Sequence, residues 1–387
     1  MDLHGGGEMN NMKIKRTVTI FLLWISLFGQ AFSAGLQIKN VSATSQVIQL
    51  PKDKTVDIRF HLNAAAEVTL IIYDARDYEI KRIQTQAPTA GDHTLTWDIR
   101  TDRGRVVPAG AYRYVIKAAN AQGEVTHDLS DITGGESVIV DTIKVDPQTA
   151  EVHYQLPHSS RLFIRYGIAD GPMLGTLLNG VVRTAGVHRE SWSGWDANRH
   201  IHLAKHPKLE FYAQAYRLSR NALIVHKPGS AHMQPEWIDT HRHTPKRKSQ
   251  ARPLGLDRHA YHSREQCQDF EITLTPLHVT EHTKAGLPIV YGATPFRVEL
   301  SAEDAAMVEA QRFEVSYFLD NQLLYENEIS YSPYTWTWKP QGLESGEYHM
   351  TAFVLSYGGH FGTVTQKFRL QKQAPGKHKQ KGHHHEQ

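Results

Sequence analysis

The sequence has one cysteine, Cys267, in 387 residues. That excludes an intramolecular disulfide framework, a four-cysteine zinc site and a C-x-x-C-H haem attachment. Charge of one sign is also lacking. There are 43 Lys and Arg against 40 Asp and Glu, a net +3, so the whole-chain field makes no case for nucleic acid as a partner. No G-x-S-x-G elbow, H-E-x-x-H helix, Walker A loop or Rossmann glycine pattern occurs, and each would be needed for the chemistry it carries. Acidic residues are scattered through strands and turns without a pair to nominate for acid–base work. Cys267, in REQCQDF, has His259 and His262 nearby in sequence but no recognisable base-and-nucleophile pattern, and reads as an incidental thiol. The chain is therefore read as a non-enzyme, with no catalytic residue and no cofactor. Helical periodicity is scarce too, with helix-forming composition only over Ala302–Gln311.

Long hydrophobic runs are absent apart from Thr17 to Phe28, TVTIFLLWISLF, which follows Lys13, Lys15 and Arg16 and precedes the small residues of Ala31-Phe32-Ser33. A positive n-region, a short apolar core and a small-residue cleavage site make a secretory signal peptide. The run is shorter than the roughly 20 apolar residues that span a bilayer. Residues 1–33 are thus expected to be a signal with a spurious N-terminal extension. The mature chain is expected to be exported, periplasmic or extracellular, with no transmembrane segment after cleavage.

What is present is strand. Thr55–Leu62, Glu67–Tyr73, His93–Asp98, Tyr112–Ala118 and Arg161–Gly167 are rich in β-branched and aromatic residues and bounded by turn formers. A motif recurs: Ala90-Gly91-Asp92-His93 before Trp97, and Ala185-Gly186-Val187-His188 before Trp192, both A-G-x-H-x-x-x-W. The order of strands around it repeats as well. A period of this size suits tandem sandwich domains and is too long for a solenoid. Two Asp in the turn Asp98–Gly104 fall short of a calcium ligand set and read as turn caps.

The motifs V-T-L-I-I-Y-D at 68–74, A-G-D-H-T-L-T-W-D at 90–98 and D-R-G-R-V-V-P-A-G-A-Y-R-Y at 102–114 carry a family resemblance. Phe60–Ala119 resembles the immunoglobulin-like domain of the flagellar hook-capping protein family, which also occurs detached in secreted bacterial proteins. Residues 151–225 are similar but diverged, keeping Trp192-Ser193-Gly194-Trp195-Asp196 and losing P-A-G-x-Y. The resemblance implies a β-sandwich and a binding or scaffolding role, without hook capping itself. A third β domain follows, similar to bacterial Ig-like modules generally, with Asp320-Asn321 at a hairpin turn. The expected fold class is all-β, tandem immunoglobulin-like sandwiches joined by a long basic His-rich linker. The expected divisions are 34–125, 126–228, a linker at 229–290, a third sandwich at 291–371 and a His/Lys-rich tail at 372–387.

Three features are candidate sites. The chain has 24 His; His241 and His243 in the linker and His383, His384 and His385 in the tail are weak metal candidates, since imidazole suits transition metals but a fixed ligand set is lacking. The basic stretch 241–264, including Arg242, Lys246, Arg247 and Lys248, is read mainly as a solvated linker that is also able to contact an anionic glycan or lipid. Tyr334, Trp336 and Trp338 alternate on one strand face. Facing inward they are core; facing outward they make a sugar-stacking strip. The leading expectation is an exported structural adaptor of the cell envelope or an extracellular assembly, whose partners are other envelope or extracellular proteins, with the linker leaving the third module free to reorient. The alternatives are a carbohydrate-binding module protein and a metal- or haem-related periplasmic accessory protein.

Overall fold

The computed structural model describes residues 35–75, 77–130, 135–228, 269–302, 304–305, 313–356 and 360–372. The signal region, Cys267, the basic stretch, His241, His243 and the tail histidines lie outside the described residues. The described strands belong to one compact unit beginning at Leu36. The fold is all-β, built as three sandwiches.

The first sandwich uses β1 (Ile38–Ala43), β2 (Val47–Gln49), β3 (Val56–Leu62), β4 (Ala66–Tyr73), β5 (Glu79–Ala87), β6 (Gly91–Trp97), β7 (Gly110–Asn120) and β8 (Gly123–His127). The second uses β9 (Ser137–Val138), β10 (Asp141–Asp146), β11 (Glu151–Leu156), β12 (Ser160–Ile168), β13 (Met173–Arg183), β14 (Gly186–Ser191) and β15 (Leu209–Arg217). Next comes β16 (Ala222–His226). The third uses β17 (Ile272–Pro276), β18 (Ile289–Tyr291), β19 (Thr294–Leu300), β20 (Phe313–Leu319), β21 (Gln322–Asn327), β22 (Tyr334–Trp338), β23 (Gly346–Ser356) and β24 (Phe361–Gln371).

Each sandwich sets a three-stranded sheet, β1-β3-β6, β10-β11-β14 or β17-β19-β22, against a larger one. Alternation produces the cores: β3 buries Val56, Ile58, Phe60 and Leu62 while Asp57, Arg59 and His61 point away, the period-2 pattern of a sheet with one wet face. Trp97 is fully buried in the first core and donates from Nε1 to the Arg100 carbonyl at 2.9 Å. Asp320 and Asn321 take φ of 43° and 75°, the left-handed pair a tight β20–β21 hairpin requires.

The strand β16 is the main departure from the serial order expected from sequence. The larger sheet of the first sandwich runs β2-β16-β7-β4-β5, with β8 also on β7. Strand β8 pairs with one end of β7, Asn120 opposite Gly123 and Ile116 opposite His127. Strand β16 continues along the same side, Arg113 opposite Ala222 and Gly110 opposite Val225. The two are halves of one strand, and the second sandwich is inserted between them. The segment 222–226, assigned from sequence to the second module, closes the first.

The crossing point is polar and well tied. Fully buried Asn221 donates from Nδ2 to the Tyr114 carbonyl at 2.8 Å and to Asp128 Oδ1 at 3.3 Å, and the Tyr114 N–H donates to the Asn221 carbonyl at 3.1 Å. Arg113 donates to Asp77 at 2.8 Å and to Asp128 at 3.2 Å, and its guanidinium lies 4.2 Å from the Tyr73 ring centre. The outgoing and returning chains meet again where the Arg217 N–H donates to the Glu136 carbonyl at 2.8 Å. Gly135 has φ of +108°, and a Cβ there would stand 2.3 Å from the Arg217 carbonyl oxygen. Gly135→Ala is accordingly expected to lower the melting temperature of the second sandwich by at least about 4 °C, measured by calorimetry.

The third sandwich begins earlier than the expected linker boundary at 290. Strand β17 falls inside 229–290 and β18 straddles its end, β17 pairing with β19 and β18 running parallel to β24. Polar residues alternate with Ile272 and Leu274, which supply only one buried face. This sandwich also touches the second one. The Thr365 N–H on β24 donates to Asn198 Oδ1 at 2.8 Å, and Thr363 Oγ1 donates to the Met173 carbonyl at 2.7 Å. Arg165 of β12 lies 3.6 Å from Asp269 and 4.7 Å from the Phe361 ring centre. Desolvation holds the Asp269 carboxyl above the ordinary carboxylate range, against the opposing influence of Thr176 and Arg165. The second sandwich therefore covers an otherwise open stretch of the β24 edge.

Candidate interaction surfaces

The repeated motif is structural in both copies. Gly91 and Gly186 take φ of +130° and +128°, a region that favours glycine. His93 is bonded through Nε2 to the Thr89 carbonyl at 2.9 Å and stacks on Phe60; His188 is bonded to the Thr184 carbonyl at 2.8 Å and stacks on Tyr154. The two imidazoles secure the same turn to the same strand position.

The P-A-G-A-Y run at 108–112 closes a similar local loop. Tyr112 donates its hydroxyl to the Pro108 carbonyl at 2.8 Å, four residues back. Tyr348 does the same to the Glu344 carbonyl at 2.9 Å at the start of β23, so the first and third sandwiches enter their long central strand with one device. The spacing Gly110-x-Tyr112 and Gly346-x-Tyr348 carried this signal in the sequence. In the turn 98–104, Asp98 accepts from the Arg100 N–H and Asp102 from the Arg82 N–H. Asp98 thus caps backbone within its own turn, as the turn-cap reading expects, whereas Asp102 ties the turn to β5.

Tyr334, Trp336 and Trp338 do share a face, and it is the inner one. Tyr334 and Trp338 are buried, and Trp336 is half-buried with its ring 5.0 Å from Tyr325 at an interplanar angle of 7°. Tyr317 lies 5.1 Å from the same indole, and 6.4 Å from Tyr325. The Tyr334 hydroxyl is enclosed by Tyr325 and by Asn327 Nδ2, both at 2.8 Å. Packing takes all three residues, so they do not form the exposed sugar-binding strip considered from sequence. Trp336→Ala is expected to destabilise the third sandwich by about 3 kcal/mol in urea unfolding, with no change in retention on polysaccharide columns.

A cleft of about 490 Å³ opens at the insertion point, lined by Arg113, Arg161, Arg217, Arg220, Asp77 and Glu136 among others. Its charges are largely paired within the fold, Arg113 with Asp77 and Asp128, Arg217 with Glu136 at 3.8 Å. Among the described residues, no group of three or more His, Cys, Asp or Glu side chains is placed to hold a metal, and no helix is long and apolar enough to cross a membrane.

The first sandwich is similar to a known family. Residues 45–122 match the model of the FlgD Ig-like domain. The match ends before β8, so β8 and β16, which complete the larger sheet of the first sandwich, lie beyond it. No curated protein matches the chain. Solved structures to which it is similar include a tetra-tandem repeat in the extending region of a large adhesion protein, at 13% identity, covering 88% of this chain and 75% of that one, with a TM-score of 0.19. FlgD from P. aeruginosa matches at 17% identity over 39% of this chain and 96% of its own, TM-score 0.19. Dimeric latent PorU from Porphyromonas gingivalis matches at 9% identity over 88% and 34%, TM-score 0.19.

Proposed function

We propose that the protein is a non-enzymatic structural adaptor, exported to the bacterial envelope or beyond, that holds partner proteins at set positions through its sandwich surfaces. The supporting observation is the interlocking of the three sandwiches. Two chain crossings join the first to the second, and side-chain and backbone hydrogen bonds join the second to the third. A single covalent tether leaves neighbouring domains to tumble, whereas two crossings fix both the distance and the angle between them. The likeness of 45–122 to the FlgD Ig-like domain is in keeping with a scaffolding role. The apolar run at 17–28 supports export through the general secretory route.

The test is fractionation followed by affinity capture. The full chain is expected in the extracytoplasmic fraction, shortened by about the length of the signal, and the mature chain is expected to retain specific envelope or extracellular proteins. An unprocessed chain that stays in the cytoplasm, or a mature chain that retains none, contradicts the proposal.

A further inference from the structure

Among the described residues, strand β21 ends the larger sheet of the third sandwich. Protein edges of this kind are usually short, charged on both faces or covered, because a free row of N–H and C=O groups templates pairing. Here the edge carries apolar side chains instead. Leu323 is 53% exposed and Leu324 40%, and the loop that follows adds Ile329 at 61% and Tyr331 at 66%. Four exposed large hydrophobic residues thus fall within nine consecutive positions; single exposed ones are ordinary, and a contiguous group is not.

The charge along this segment is of one sign. From Phe313 to Trp338 the chain has no Lys, Arg or His, and four acids, Glu314, Asp320, Glu326 and Glu328; of these, Asp320 is engaged by His349 of β23 at 3.3 Å. Ser316 sits opposite Glu326 across the β20–β21 pair, so Glu314, Glu326 and Glu328 share one side of the strands. Burial, with repulsion from Glu326 and Glu328, holds the Glu314 carboxyl above its ordinary range.

From the backbone edge left unpaired among the described residues, the apolar side chains beside it and the carboxylates of Glu314, Glu326 and Glu328 on one side of the strands, we infer that β21 accepts an extended strand of another protein in which apolar residues alternate with Lys or Arg. Backbone pairing supplies affinity in this mode, and alternate side chains supply specificity. A second copy of this chain is the poorer occupant for the same edge, since it would bring a second acidic segment without Lys, Arg or His alongside the first. The inference rests on the adaptor reading and gives it a surface.

The probes are the peptides KVRVKVR and EVEVEVE, titrated against the full mature chain with hydrogen exchange as a second readout. KVRVKVR is expected to bind with micromolar affinity, to slow amide exchange across 322–327, and to weaken as salt rises. The exposed double variant Glu326→Lys/Glu328→Lys is expected to lose KVRVKVR affinity by about tenfold or more, and Leu323→Ser/Tyr331→Ser to lose affinity with charge unchanged. Equal binding of EVEVEVE, binding without protection of 322–327, or binding indifferent to both variants would overturn the inference. So would failure of KVRVKVR to bind. An edge already protected in the monomeric protein alone means the chain fills it itself, and edge protection that appears with dimerisation means a second copy does; either overturns an external partner. A chain that is exported and captures envelope proteins yet ignores KVRVKVR sinks this surface and leaves the adaptor reading standing.

Discussion

A fragment of residues 36–128 is expected to lack cooperative unfolding, while the same fragment with Asp128 joined directly to Asn221 and continued to Pro228 is expected to regain it. The register makes the splice seamless. His127 lies opposite Ile116, and Ala222 lies opposite Arg113, so Asp128 and Asn221 fill the two places between. Without β16 the first core loses Leu223 and Val225, which are at most 1% exposed, and β2 loses the strand it runs parallel to. Burying two such side chains contributes about 3–6 kcal/mol, comparable with the lower end of a whole domain's stability, about 5–15 kcal/mol. Urea melts followed by Trp97 fluorescence separate the two fragments. Equal midpoints and slopes would show that β16 is dispensable and the insertion incidental.

The second large effect is expected in the inserted sandwich. Glu190 and Tyr154 are each 2% exposed, and Arg183 9%. Glu190 Oε1 accepts from Tyr154 Oη at 2.8 Å and from Arg183 Nε at 2.8 Å, and Oε2 accepts from Arg183 Nη2 at 3.2 Å. Burial, and then the adjacent carboxylate, push the Tyr154 hydroxyl well above its usual range, so it remains a donor at any ordinary pH. Removing one member of a buried pair strands the other, which costs about 3–5 kcal/mol. Glu190→Ala is therefore expected to destabilise the second sandwich by that amount. Arg183→Met/Glu190→Leu, which removes both charges and refills the space, is expected to recover most of it. Chemical denaturation of the full chain checks both. A double variant no better than the single one would mean that volume at this site, rather than an uncompensated charge, sets the cost.

Much of this architecture was legible in the residues. Strict alternation in Val56–Leu62 and the recurring A-G-x-H-x-x-x-W named the strands and turns, because both are local properties of pleat and φ. The partner of a strand is not local. Ala222–His226 follows the second sandwich directly, and nothing in ALIVH says that it returns to a sheet begun more than a hundred residues earlier. The segment 270–290 misled for a related reason: its apolar residues, nine of 21, are interrupted by Pro, His and Thr and follow directly on a polar stretch, so the whole of 229–290 read as a linker. At the candidate site, alternation placed Tyr334, Trp336 and Trp338 together but was silent on which side the core lies. The exposed group at Leu323–Tyr331 was equally hidden, since QLLYE reads as ordinary strand until it is seen to be the last of its sheet among the described residues.

The parallel pairing of β2 with β16 has a mechanical consequence. Tension along the chain reaches the first sandwich near its start and leaves after His226, so it pulls these two neighbours in opposite directions along their length. Their hydrogen bonds must then slide and fail together rather than open one by one. The inserted sandwich departs and rejoins at a single point, and it hangs off this route like a side arm. Stretching should leave it intact until the first sandwich has given way.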